Sequence, residues 1–282
     1  MFTSKLTQVM AISAVSAMLL SSHAHAQPVV PGFDANTLAA NDDGSTGVIT
    51  LPFDVNFFGT TYSSLFVNNN GNVTFNAALS TFTPFGVGAG YIGQPIIAPF
   101  FADVDTRGEG SGLTSYGTGT FDGHDAFGVT WPGVGYFGEH TDKLNTFQMI
   151  LVDRSDTGAG NFDIVFNYNQ IQWETGDASG GSNGLGGVSA AVGLSNGTGD
   201  PGTFVQLNGS LVNGALIDGG PDALISNTND GVLGQYVFDV RSGSVVPGTP
   251  EPSTWAMILV GFAGMGLLAR RASHRKQAAA QA

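Results

Sequence analysis

Short apolar and polar runs alternate between residues 48 and 246, and glycine or Asn-Gly separates many of them. In the run 162–168, Phe162, Ile164 and Phe166 occupy alternate positions, which predicts a half-buried strand with these side chains on one face. No window of this region keeps a helical period over three turns. The pattern therefore predicts an all-β fold, an antiparallel sandwich-like or layered domain with long glycine-rich loops. The predicted strands are 48–51, 54–58, 64–67, 72–75, 96–101, 126–131, 146–152, 162–168, 188–194 and 235–240.

The segment Asn69-Asn70-Gly71 lies between two of these predicted strands. Asn-Gly between β-prone runs is a strong hairpin signal, because the tight two-residue turn needs positive φ at both positions. We therefore expect a hairpin that turns at Asn70-Gly71.

Composition supports the β interpretation and limits the chemistry. The 282 residues include 42 glycines and 20 phenylalanines, and only 11% of the residues are charged, which is typical of many turns and half-buried strands. The chain has no cysteine, which excludes disulfides, thiolate metal sites and a cysteine nucleophile. Packing and strand pairing must stabilise such a fold.

The charge of the chain is distributed unevenly. Five of the nine lysines and arginines lie in the two end segments, so residues 27–254 combine four cations with all 22 acidic residues, a formal charge of −18. A surface this acidic repels phosphate backbones, so nucleic acid is not an expected partner. Divalent cations and neutral glycans remain open as partners.

The N-terminal segment has the features of a secretory signal peptide. Lys5 precedes an apolar run at 9–20, and the run leads to Ala24 and Ala26 in an A-x-A arrangement. This order predicts a signal helix that is cut after Ala26, so that the mature chain begins at Gln27. The alternative is an N-terminal amphipathic or core helix.

The C-terminal segment has the features of a short tail anchor. A proline-rich linker at 247–254 precedes Trp255, an uncharged apolar stretch that ends at Ala269, and the pair Arg270-Arg271. This order predicts a transmembrane helix with its basic end in the cytoplasm. Its 15 residues would span about 22 Å, less than the roughly 30 Å of the hydrocarbon core. The segment is therefore better suited to transient than to permanent anchoring.

The same tail resembles the PEP-CTERM sorting signal of Gram-negative bacteria over residues 247–276. The residues that carry the resemblance are Pro250, Glu251, Pro252, Trp255, Arg270 and Arg271. The resemblance implies that an exosortase in the inner membrane cuts near the Pro-Glu-Pro triplet. It also implies that the domain is then released to the cell envelope, the cell surface or the extracellular matrix, after transient anchoring in the inner membrane.

The region ahead of the tail resembles the NIDO domain of nidogen, tectorin and membrane mucins over residues 48–212, with 213–246 as a trailing part. Six collinear blocks carry this resemblance: 57–62, 65–71, 97–107, 145–148, 162–168 and 171–173. The family occurs in extracellular matrix and adhesion proteins and has no established chemistry. The resemblance therefore implies a non-enzymatic protein that contacts extracellular polysaccharide or matrix components in adhesion or biofilm formation.

These inferences give one predicted organisation for the chain. It consists of a signal peptide (1–26), a polar lead-in (27–47), a β ectodomain (48–246), a linker with the Pro-Glu-Pro triplet (247–254), a transmembrane segment (255–269) and a basic cytoplasmic tail (270–282).

Asp103, Asp105 and Glu109 are the candidate metal ligands. Their spacing lets a turn bring several carboxylates together, and Ca²⁺ takes six to eight oxygen ligands of this kind. The segment lacks the twelve-residue EF-hand pattern, and the alternative is that Asp105 pairs with Arg107 or caps a turn. Calcium is the one cofactor that the sequence suggests.

Two other classes of function remain open. The segments Gly180–Gly184 and Gly193–Gly197 fit G-x-S-x-G, but neither leads into a helix, so we predict no catalytic serine. A secreted polysaccharide hydrolase would instead need two carboxyl groups roughly 5–10 Å apart in a cleft. Its acids would come from Asp103, Asp105, Glu109, Glu139 and Asp142. A third possibility is a structural subunit that self-associates through exposed strands.

Overall fold

The computed structural model describes residues 29–247, and this part of the chain is built from β-strands with two short 3-10 turns. The strands are β1 (Asn36–Thr37), β2 (Ile49–Phe57), β3 (Thr60–Asn68), β4 (Asn72–Thr74), β5 (Ile96–Phe101), β6 (Val104–Asp105), β7 (Ser115–Phe121), β8 (His124–Tyr136), β9 (His140–Asp153), β10 (Phe162–Gln170), β11 (Gly181–Ser182), β12 (Leu185–Gly186), β13 (Ala191–Ser195), β14 (Phe204–Gln206), β15 (Gln235–Arg241) and β16 (Ser244–Pro247).

Two antiparallel sheets form the body of the domain. The larger has the order β1-β7-β8-β9-β10-β15-β16, with β6 paired to β8, and the smaller has the order β14-β13-β5-β4-β3-β2. The predicted all-β antiparallel architecture is confirmed. The predicted signal helix at 1–26 and transmembrane helix at 255–269 lie outside the described residues, and residues 29–247 include no helix that is long and apolar enough to cross a membrane.

The two sheets pack their inner faces around one apolar core. Phe162, Ile164 and Phe166 all belong to this core, as their alternation predicts. They meet residues of the smaller sheet such as Phe57, whose ring centroid lies 6.3 Å from that of Phe162 in an edge-to-face arrangement. The inner face of the large sheet is thus sealed against solvent.

The outer face of the large sheet is more covered than its sequence indicates. Residues 162–168 are all buried, whereas their alternation predicts a half-buried strand. One cause is the segment 29–35, which crosses the outer face and inserts Phe33 (2% exposed) into a second cluster with Ile150 and Val165. Gly128 lies beneath Phe33, and a Cβ at that position would overlap the ring.

A row of buried amides also holds the described part of the lead-in, residues 29–47, which from here on we call the N-terminal segment. The backbone N–H of Val30 donates to Gln148 Oε1 (2.9 Å), and Gln148 Nε2 donates to Val30 O (2.8 Å). Asn167 Nδ2 donates to Gln148 Oε1, and Gln235 Nε2 donates to Asn167 Oδ1. Because buried amides that are fully paired specify one arrangement, the predicted lead-in is fixed to the sheet from residue 30 onward.

The predicted hairpin is present with a longer turn than expected. β3 and β4 pair antiparallel with Asn68 opposite Asn72, so three residues form the connection. Of these, Gly71 has positive φ (+71°) and the two asparagines do not. This is the three-residue hairpin geometry with glycine in the left-handed position, rather than the two-residue turn that Asn-Gly suggests.

Candidate functional site

The asparagines of this turn join the N-terminal segment to the end of β5. Asn69 Nδ2 donates to the carbonyl oxygens of Asp42 (2.5 Å) and Val104 (2.6 Å). Asn70 Nδ2 donates to Asp43 Oδ1 (2.9 Å), while Asn70 Oδ1 accepts from the N–H of Val104 (2.9 Å). These bonds place the turn at residues 41–44 beside the segment that connects β5 and β6.

The result is a cluster of three carboxylates, Asp42, Asp43 and Asp103, which we call the carboxylate cluster. One oxygen from each residue lies within 4.8 Å of the others. Asp103 is fully buried (0% exposed), and its Oδ2 has a long contact with Ser179 Oγ (3.5 Å). Among the groups that the structure describes, the buried atoms Asp103 Oδ1 and Asp42 Oδ1 have no hydrogen-bond partner.

Electrostatics in this cluster oppose full ionisation. Burial, with Asp42, Asp43 and Asp105 nearby, raises the pKa of Asp103 to about 7. Burial and the charges of Asp105 and Asp43 raise the pKa of Asp42 to about 6, although Arg107 Nη2 lies 3.0 Å from Asp42 Oδ2. The cluster therefore concentrates negative charge that one partly exposed arginine does not balance.

The structure separates the three predicted calcium ligands. Asp103, alone of the three, belongs to the carboxylate cluster. Asp105 instead binds Arg107, with Nε 2.8 Å from Oδ1 and Nη2 2.6 Å from Oδ2. Burial favours a higher pKa for Asp105, but these bonds and the N–H groups of Arg107 and Glu139 lower it. Glu109 is exposed. The pairing of Asp105 with Arg107 is the alternative that the sequence left open.

A second polar site, which we call the arginine groove, lies on the outer face of the large sheet. It has a cavity volume of about 620 Å³. Two of the four cations between residues 27 and 254 line it, Arg154 and Arg241. The lining residues are Phe121, Asp122, His124, Val152, Arg154, Asp163, Val165, Asp230, Val232, Gln235, Val237, Asp239 and Arg241.

Ion pairs organise the charged side of this groove. Arg154 Nη1 lies 2.8 Å from Asp163 Oδ2, and Arg241 Nη1 lies 2.6 Å from Asp163 Oδ1. Asp239, which is opposite Asp163 in the register of β10 and β15, lies 3.6 Å from Arg241. Asp163 is buried (8% exposed) between the two guanidinium groups, so this network is close to neutral.

Comparison with known proteins places the chain in a family. The nidogen-like domain (NIDO) matches residues 63–242. The chain belongs to the NIDO family. The PEP-CTERM protein-sorting motif matches residues 248–276 directly after the NIDO domain. Both predicted resemblances are confirmed, and a NIDO domain followed by a sorting motif is the organisation of an exported protein of the cell envelope or extracellular space.

Curated relatives carry the same domain within much longer chains. Human α-tectorin is 37% identical over 232 residues, which cover 73% of this chain and 10% of the tectorin. Chicken α-tectorin is 32% identical with the same coverage, and Drosophila nidogen is 28% identical over 72% of this chain and 16% of the nidogen. The chain thus spans a tenth to a sixth of these relatives. No solved structure matches it significantly.

The two sites differ in their relation to the NIDO match. All residues of the arginine groove lie within 63–242, whereas Asp42 and Asp43 precede the match and Asp103 lies inside it. The predicted sorting residues fall within the matched motif but outside the described residues. The predicted signal-cleavage residues, Ala24, Ala26 and Gln27, also lie outside the described residues.

The acids proposed for a hydrolase lie outside the arginine groove. None of the five lines the arginine groove, and Glu109, Glu139 and Asp142 are exposed. Hydrogen bonds from Lys143 and then Tyr136 lower the pKa of Asp142, which makes this residue a poor general acid. The arrangement offers little support for an acid and base pair.

Sequence reasoning missed Asp42, Asp43 and the arginine network. The run Asn41-Asp42-Asp43-Gly44 indicates a turn with two adjacent acids. This turn was a signal for a cation site, but its third carboxylate, Asp103, lies 60 residues after Asp43. The groove had a weaker signal. Asp163 alternates with the core-facing residues of β10, so a charged side chain on the outer face was foreseeable, but its arginine partners depend on the strand register.

Proposed function

We propose that this is a non-enzymatic surface or matrix protein of a Gram-negative bacterium. Its signal peptide (1–26) directs export, its C-terminal segment (255–269) anchors it transiently in the inner membrane, and an exosortase processes it near Pro250-Glu251-Pro252. The NIDO domain then works outside the cell in adhesion or biofilm formation by binding extracellular polysaccharide or matrix components. The observation that carries this proposal is the succession of a NIDO domain and a PEP-CTERM motif in one chain.

The position of the last strand supports removal of the tail. β16 ends at Pro247, and the sorting motif begins at residue 248. β16 lies at one edge of the large sheet, opposite the edge formed by β1. A cut within the matched motif therefore leaves every strand of residues 29–247 in place.

The arginine groove is the surface that we propose for polysaccharide. Its guanidinium groups donate hydrogen bonds, its carboxylates accept them, and the half-buried ring of Phe121 adds an apolar surface. Sugar hydroxyls both donate and accept, so fixed groups of both kinds suit a neutral glycan. The ion pairs hold these side chains in place before a ligand arrives, which reduces the entropic cost of binding.

Edge-mediated self-association has less support. The edge strands of the large sheet have two and four residues. β2, at the edge of the smaller sheet, contains Pro52 and an irregular register between Thr50 and Val55. Short edges and an edge proline are features that prevent strand addition.

Localisation tests the sorting part of the proposal. Deletion of residues 248–282 should move the domain from its normal envelope or extracellular fraction, because the whole matched motif is lost. Deletion of residues 277–282 is the matched control, since it leaves the motif at 248–276 intact. Identical fractionation of the two truncated proteins would contradict the sorting role.

Polysaccharide binding tests the domain itself. The exported protein should sediment with exopolysaccharide isolated from the producing cells, and Arg241→Ala should weaken this association several-fold. Lys143→Ala is the matched control, because it removes the same charge from an ion pair with exposed Asp142 outside the groove. Equal binding by both variants would reject the groove as the binding surface.

A further inference from the structure

The carboxylate cluster carries excess negative charge and lies outside the surface that we propose for polysaccharide. We propose that Asp42, Asp43 and Asp103 bind one Ca²⁺ ion, which ties the N-terminal segment to the NIDO core. The site joins a turn ahead of the family match to the segment between β5 and β6. This inference is independent of the arginine groove, so either can fail alone.

The first argument is the state of two buried oxygens. Asp103 Oδ1 and Asp42 Oδ1 are buried without a hydrogen-bond partner among the described residues, and Asp103 is fully buried. A buried carboxylate oxygen that has no partner is costly, and a bound water or ion is one way in which folded proteins satisfy such atoms. Both oxygens belong to residues of the same cluster, in which one oxygen of each carboxylate converges.

The second argument is spacing. Ca²⁺ binds oxygen at 2.3–2.6 Å, so two oxygens on one ion lie at most about 5 Å apart. The cluster places one oxygen of each carboxylate within 4.8 Å of the others. Mg²⁺, which binds at about 2.1 Å, limits this separation to about 4.2 Å and prefers strict octahedral geometry. The separation lies within the roughly 5 Å that one Ca²⁺ ion can bridge.

The third argument is charge. Arg107 contacts one oxygen of Asp42, but its other contacts are with Asp105. Three carboxylates therefore share a fraction of one positive charge. A divalent cation removes this repulsion and favours the ionised form of each carboxylate.

The surroundings already orient the proposed ligands. Asn70 Nδ2 donates to Asp43 Oδ1, and Asn69 Nδ2 holds the backbone of Asp42. Outer hydrogen bonds of this kind fix ligand geometry in metal sites. Gly176 packs against Asp103, and a Cβ at that position would lie 2.5 Å from Oδ2, so the carboxylate has little freedom to turn away.

Calcium titration of the exported protein tests the proposal. After dialysis against EDTA, isothermal titration with CaCl₂ should give one site with a Kd of about 10⁻⁴ to 10⁻³ M, typical of extracellular modules. Calcium at 100 times Kd should raise Tm by about 5–10 °C, because the ion binds the folded state. MgCl₂ at equal concentration should have a much smaller effect.

Variants locate the site. Asp103→Asn and Asp43→Asn should each lose most of the calcium-dependent rise in Tm, whereas Asp54→Asn, an exposed carboxylate on β2, should keep it. If Asp103→Asn does not fold, the calcium-dependent rise in the Tm of Asp43→Asn tests the site by itself. No heat and no Tm change with 10 mM calcium in the unmodified protein would overturn the proposal. An undiminished rise in Asp43→Asn would also overturn it.

Discussion

The carboxylate cluster and the arginine groove are both rich in aspartate, but their charges are balanced differently. In the groove, both oxygens of Asp163 lie against arginines, Arg154 on one side and Arg241 on the other. In the cluster, Arg107 reaches one oxygen of Asp42, and Asp103 has no cation within ion-pairing distance among the described residues. Each oxygen of Asp163 thus has an arginine within ion-pairing distance, whereas the cluster is completed by the proposed Ca²⁺ ion.

This difference shows that the formal charge of −18 between residues 27 and 254 is not a uniform property of the surface. Asp103 and Asp105 are two residues apart and both fully buried. The pKa of Asp103 is raised, mainly by burial, whereas the hydrogen bonds of Asp105 lower its pKa despite burial. The hydrogen-bond and ion-pair partners of each carboxylate, rather than its position in the sequence, determine the direction of its pKa shift.

The largest expected effect comes from the segment that connects the two regions. Phe33→Ala empties a packed site on the outer face of the large sheet and should lower the free energy of unfolding by about 3–5 kcal/mol. Because the same segment carries Asp42 and Asp43, calcium affinity should fall as well. Denaturant unfolding and calcium titration measure both effects. Asp34→Asn, the exposed neighbour, is the control, and an unchanged calcium affinity in Phe33→Ala would contradict the coupling between the Phe33 site and the cluster.

The next effect concerns the groove. Asp163→Ala leaves Arg154 and Arg241 without their shared buried partner, which should lower the free energy of unfolding by about 3 kcal/mol. Calcium-dependent stabilisation should remain intact, because the cluster lies elsewhere. Urea unfolding with and without calcium measures both quantities. Asp156→Ala removes an exposed partner of Arg154 and should have a far smaller effect; equal losses in the two variants would reject the special role of Asp163.

The smallest effect is also the most discriminating. Asp105→Asn weakens hydrogen bonds from Arg107 and from the Glu139 N–H, so it should lower the free energy of unfolding by about 2 kcal/mol. Asp103→Asn relieves repulsion and should be neutral or slightly stabilising in EDTA. Denaturant unfolding of both variants in EDTA measures the sign of the change in the free energy of unfolding for each. A loss for Asp103→Asn as large as that for Asp105→Asn would contradict the proposed charge imbalance.

Local patterns predicted the fold class and most of the large strands correctly, because alternation and turn residues act within a few positions. β7 was missed, since its run Ser115–Phe121 contains Gly117 and Gly119, which weaken a strand signal. The structure explains Gly119, because a Cβ at that position would lie 2.9 Å from the Phe33 ring. That requirement arises from a segment more than 80 residues earlier in the chain.

The candidate sites were less predictable for the same reason. Asp103 was predicted as a metal ligand from its spacing to Asp105 and Glu109, but Asp42 and Asp43 are brought to it by the asparagine turn at 69–70. The groove depends on the register that puts Asp163 opposite Asp239. The residue types therefore indicated which kinds of site to expect. Long-range pairing determined which residues come together in each site.

The intact mass of the protein recovered outside the cell tests most directly whether it is an exported, processed NIDO protein. The account predicts a chain that begins at Gln27 and ends near the Pro250-Glu251-Pro252 triplet, so one spectrum shows both cuts. The mass of the complete 282-residue chain, found in the cytosolic fraction and absent from the exported fraction, would contradict the account.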